Sequence, residues 1–97
     1  MMADFFVYIL YSPNLDRYYI GQTEDLERRF VEHNTHYFEK SSTRTADDWQ
    51  MYLSVQCNSR EQSVRIETHI KKSKSRVYLE NLKKYPAIIE KLLAKFQ

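Results

Sequence analysis

From Phe5 to Tyr11 the chain reads FFVYILY, an apolar and aromatic run that stops at Ser12-Pro13-Asn14 and resumes as DRYYIG over residues 16–21. β-branched and aromatic residues favour strands, and Ser, Pro and Asn favour turns, so the pattern predicts two antiparallel strands joined by a tight turn. A turn at Pro13-Asn14 sets Ser12 opposite Leu15, Leu10 opposite Arg17 and Tyr8 opposite Tyr19, which makes the two phenols cross-strand neighbours. A slip of one residue would send them to opposite faces. The first strand is apolar on both faces, as a central strand is.

Residues 23–34, TEDLERRFVEHN, carry the helical period: Leu26, Arg29, Phe30 and His33 fall on one stripe, with Thr23 as N-cap and Glu24, Asp25 and Glu27 in the first turn. The polar stretch THYFEKSSTRTADD (35–48) reads as a loop, of a length that often signals function. WQMYLSVQC (49–57) alternates as a third strand. Ser59 and Gln62 form a capping box that opens a second helix through Lys74; Ser75 caps a third, RVYLENLKKY; Pro86 suits the first position of a fourth, AIIEKLLAKF. The expected order is β-β-α-β-α-α-α.

The chain has 97 residues, 42% hydrophobic and 14% aromatic, enough for one compact core and one domain spanning 1–97. A lone Cys57 forms no internal disulfide, no apolar run approaches the roughly 18 residues of a membrane helix, and MMADFF lacks a secretory layout. These features predict a reduced, cytoplasmic protein that does not enter membranes. The net charge of +2 hides an asymmetry: residues 1–57 hold 5 Lys+Arg and 9 Asp+Glu, whereas residues 58–97 hold 10 and 4. The basic half either faces a polyanion such as nucleic acid or solvates exposed helix faces.

Three polar residues stand on apolar stripes. Arg29 and His33 share the first helix's inward line, and Glu67 lies among Val64, Ile66 and Ile70 of the second. A shielded guanidinium needs an anion and a shielded carboxylate needs a cation. Arg29 could serve Glu67 as a structural ion pair, or a hard divalent cation could, since Mg²⁺ binds one or two carboxylates and keeps several waters. The sequence holds no zinc-type His/Cys spacing and no Gly-rich phosphate loop, and Cys57 has no neighbouring base.

Six stretches together resemble a known family: VYI at 7–9, YYIG at 18–21, QTEDLERRF at 22–30, EHN at 32–34, RIETHIKK at 65–72 and SRVYLENL at 75–82. They are similar to the GIY-YIG nuclease domain in its compact form, close to the domains of UvrC-like repair nucleases and homing endonucleases. The resemblance covers nearly the whole chain. It implies an α+β fold, a three-stranded antiparallel sheet flanked by helices, and DNA phosphodiester hydrolysis with one divalent cation, Mg²⁺ or Mn²⁺. In this resemblance Tyr8 is the general base or positions the attacking water, Tyr19 supports nucleophile and phosphate, and Gly21 lets the chain pass close to the site. Arg29 stabilises charge on the phosphate, His33 is the histidine one turn later, and Glu67 is the metal ligand.

Departures from the family are Phe6-Val7 ahead of Tyr8, His36 in place of a glycine, and acidic Asp47 and Asp48 ahead of Trp49. Phosphate contacts are expected from Lys71, Lys72, Lys74 and Arg76. The alternative function is a nucleic-acid or protein interaction module that keeps the fold without cleaving. A homodimer or an accessory protein, and repair, recombination or defence as the process, stay open.

Overall fold

The structure, a computed structural model, describes residues 4–35, 46–73 and 75–97. Strands β1 (Phe5–Ser12), β2 (Arg17–Thr23) and β3 (Gln50–Cys57) form an antiparallel sheet in the order β2-β1-β3. Helix α1 (Leu26–Asn34) lies between β2 and β3 in sequence, and α2 (Arg60–Ser73), α3 (Arg76–Lys84) and α4 (Pro86–Lys95) follow. The class is α+β with the expected order of elements. Of the segment read as a loop, residues 36–45, His36 included, lie outside the described residues, as does Lys74.

β1 is central because both of its faces find apolar cover. Successive side chains point to opposite sides of a strand. Val7 and Ile9 enter a core with Val55, Ile66, Ile70, Leu79 and Leu82, while Tyr8 and Leu10 pack with Ala46, Trp49, Leu26 and Phe30. Each fully buried aliphatic side chain contributes about 1.5–3 kcal/mol of transfer free energy. On α2 the buried line is Gln62, Ser63, Ile66 and Ile70; Val64 is exposed, which leaves Glu67 at the margin of the stripe rather than at its middle.

The hairpin register differs from the expected one by two residues. Ser12 pairs with Arg17, Leu10 with Tyr19 and Tyr8 with Gly21, so the connection is the four residues 13–16. Asp16 adopts a positive φ of 51°, and Ser12 Oγ accepts from the Leu15 amide at 3.2 Å. The longer turn is held from outside: Asp48 accepts from Ser12 Oγ at 2.6 Å and from the Asn14 amide at 2.9 Å. These bonds, that from Ser12 foremost, hold the Asp48 carboxyl below the usual carboxylate range. Asp48→Ala is therefore expected to lower the urea midpoint without changing m, and to speed hydrogen exchange at the Asn14 and Leu15 amides.

α1 begins later than Thr23. Its N-cap is Asp25, whose side chain accepts from the Arg28 amide at 3.2 Å, while Thr23 closes β2 and exchanges two hydrogen bonds with the Asp25 backbone. At the other end Asn34 clamps one peptide unit: its Nδ2 donates to Trp49 O at 2.9 Å and its Oδ1 accepts from Trp49 N at 2.8 Å. That pair fixes the last turn of α1 to the entry of β3. Ser59 and Ser75 cap α2 and α3 as expected, and Pro86 opens α4. Gln62 accepts from the Asn58 amide and donates to Leu93 O, joining the start of α2 to α4.

Candidate active site

Tyr8 lies at the centre of the polar groups on the α1 side of the sheet. Its side chain is 2% exposed, and Oη shares a hydrogen bond of 2.8 Å with Nε2 of His33, itself 1% exposed. Tyr19 is a diagonal neighbour across the strands, with ring centroids 6.2 Å from Tyr8 and 4.7 Å from His33. The two-residue shift in register preserves parity, so both phenols keep the common face that the sequence predicts. Gly21 stands directly opposite Tyr8, and a Cβ built on it would meet Tyr8 Oη at 2.6 Å and Cζ at 2.7 Å. Its φ is not positive, so the requirement at Gly21 is for space rather than for backbone freedom.

Electrostatics defines the protonation of the pair. Burial raises the Tyr8 pKa well above that of an ordinary phenol, with Tyr19 adding to the rise, Arg29 opposing it, and Glu67 and Glu32 contributing further. Desolvation outweighs the opposing charge of Arg29. Burial, then the charge of Arg29, lowers His33 to about 4. Around neutral pH the phenol is protonated and the imidazole neutral.

The low His33 value has a signed consequence for stability. Between about pH 6.5 and 4 the unfolded chain holds a proton on His33 that the folded chain does not, so stability rises with pH there. The contribution is complete above about 6.5 and is lost as the pH falls towards 4, on the order of 2–3 kcal/mol. Urea midpoints at pH 7 and 5 check this: His33→Gln is expected to lose less stability on acidification than the wild type.

Arg29 lies on the expected face of α1 but is not sealed in; its side chain is 40% exposed, and its Nε lies 3.6 Å from Glu32 Oε1. Glu32 also meets Arg28 Nε at 3.5 Å. Glu32 was not among the residues singled out from sequence, although its place three residues after Arg29 is the spacing at which helix neighbours pair. The cation on Glu67 is Lys71, one turn further along α2, with Nζ 2.9 Å from Oε1; an Arg29–Glu67 pair is not the arrangement formed. A cleft of about 380 Å³ opens beside Arg29 and Glu32 and extends to Arg28, Asp25 and Arg60.

The other expected phosphate contacts are dispersed. Lys71 is engaged by Glu67, and Lys72 is exposed on α2. Arg76 donates to Asp16 Oδ1 at 2.8 Å and to Asp16 O at 2.7 Å and lies over the Tyr18 ring, so it fastens α3 to the hairpin. Asp48, one of the two acidic departures, is occupied with the turn.

A family model described as the GIY-YIG catalytic domain matches residues 4–84, more than four-fifths of the chain. The chain belongs to the GIY-YIG family. No curated protein and no solved structure matches it. The GIY-YIG span contains Tyr8, Tyr19, Gly21, Arg29, His33 and Glu67 and ends with α3. Membership makes this GIY-YIG chain a nuclease-family protein, for which nucleic acid is the substrate class. Among the described residues, no helix is long and apolar enough to cross a membrane.

Proposed function

We propose that the protein is a divalent-metal-dependent DNA endonuclease, carried by one domain over residues 1–97 and working in the cytoplasm. The observation that carries the proposal is the Tyr8–His33 hydrogen bond, buried beside Gly21 and under the influence of Arg29 and Glu67. Phosphodiester hydrolysis needs a proton acceptor for the attacking water and positive charge at the phosphate.

A protonated phenol is no base by itself, but one bonded to a neutral imidazole can relay. As Tyr8 Oη takes the water's proton it passes its own to His33 Nε2, and one proton moves net from water to histidine. Tyr19, against both rings, keeps them in register. Arg29, partly exposed and next to an open cleft, reaches the non-bridging phosphate oxygens and leaves Glu32 with Arg28. Lys72, exposed on α2, contacts a flanking phosphate, and Lys71 does so when it is released from Glu67.

Glu67 is the residue that would hold Mg²⁺ or Mn²⁺, which supplies neutralisation of charge on the phosphate. The fit rests on Glu67 alone: one shielded carboxylate is a donor that a hard, largely hydrated cation accepts.

The test is cleavage of plasmid, branched and single-stranded DNA by folded protein with Mg²⁺, with Mn²⁺ and with a chelator. Cutting that the chelator abolishes is the expected result. Binding without cutting on every substrate would replace the nuclease by the interaction module.

A further inference from the structure

The partner of Glu67 carries information about how that carboxylate is loaded. Two i, i+4 ion pairs run along α2, and they differ in kind. Glu61, paired with Arg65, is 72% exposed, as solvated helix pairs usually are, whereas Glu67 is only 19% exposed and its Oε1 is covered by Lys71 Nζ. Lys71 itself is 51% exposed, so the ammonium can leave with little loss of packing. A lysine four residues after a glutamate forms a helix pair of a few tenths of a kcal/mol, weak enough to be exchanged.

We propose that Lys71 is a positioning residue that occupies Glu67 as a placeholder cation and is displaced when a divalent cation binds there. This rests on the reading of Glu67 as the metal ligand. An ammonium and a divalent cation cannot share Oε1 without mutual repulsion, so loading the site requires Nζ to move. The structure offers it a place: Lys71 also lines a groove of about 180 Å³ with Tyr18, Ser73, Ser75 and Arg76, where hydroxyl oxygens can accept from the ammonium and Asp16 neutralises the guanidinium. While the site is empty, the same ammonium keeps the shielded carboxylate from standing without a counter-charge.

The experiment is a Mn²⁺ titration, by the electron paramagnetic resonance of free Mn²⁺, without DNA and at low salt. It compares the wild type with Lys71→Met, Lys72→Met and Glu67→Gln, each first checked for native circular dichroism. Lys71→Met keeps length and removes the charge, and is expected to bind Mn²⁺ about three- to tenfold more tightly. Lys72→Met removes an exposed charge from the next position and is expected to stay within about twofold. Glu67→Gln is expected to lose the site. Affinity unchanged or weakened in Lys71→Met, or raised equally in Lys72→Met, with the site still lost in Glu67→Gln, would overturn the placeholder and leave the ligand reading standing. Mn²⁺ retained by Glu67→Gln would overturn the ligand reading and the placeholder with it.

Discussion

Glu67→Gln is expected to slow cleavage by at least about 10³-fold while changing DNA affinity little. The substitution keeps the shape of the side chain and removes its charge, so the margin of the α2 stripe stays filled. What is lost is the anionic oxygen on which a hard cation depends, because a neutral amide is a poor substitute. The fold survives, since a helix ion pair with Lys71 contributes only about 0.2–0.5 kcal/mol. DNA affinity is set by counterion release from phosphate contacts, and removing a negative charge does not reduce it. Single-turnover cleavage and anisotropy binding, measured at one salt concentration, separate the two quantities. Cleavage within tenfold of the wild type would show that Glu67 is not the metal ligand.

Gly21→Ala is expected to lower the cleavage rate about 10²–10⁴-fold, to the level of Tyr8→Phe. The added methyl would sit 2.6 Å from Tyr8 Oη, and the tyrosine has nowhere to retreat, being 2% exposed and hydrogen-bonded to His33. The ring must tilt and the bond to Nε2 must break or lengthen. Overpacking of this sort costs about 1–3 kcal/mol, to be read from urea unfolding. The double variant Gly21→Ala/Tyr8→Phe is expected to lose little further activity, because both changes remove the same group from the same place. A Gly21→Ala protein that cuts at the wild-type rate would mean that cleavage does not depend on where the Tyr8 hydroxyl sits.

The sequence was a good guide where the information is local. Period and capping residues give the order of elements, and parity alone puts Tyr8 and Tyr19 on one face whichever even register the hairpin takes. The register itself was not legible, because the turn that sets it is held by Asp48, distant in sequence, and by a positive φ at Asp16. The ion-pair partners were left open for a related reason. Arg29 or a divalent cation was offered for Glu67, while Glu32 and Lys71 stood on the same helices as Arg29 and Glu67 at shorter reach. The space opposite Tyr8 needs the observed pairing to be visible, since the tight turn would have placed Tyr19 there and hidden the role of Gly21.

Asn34 adjoins His33 and uses both ends of its amide on Trp49. Aspartate lacks the donor, glutamine is a methylene too long, and serine reaches neither group in this way. Little other than asparagine makes both bonds, so a substitution at position 34 releases the end of α1 from the entry of β3. The imidazole beside it inherits that anchorage: the peptide that presents His33 to Tyr8 is held by the strand it faces and not by its own helix alone.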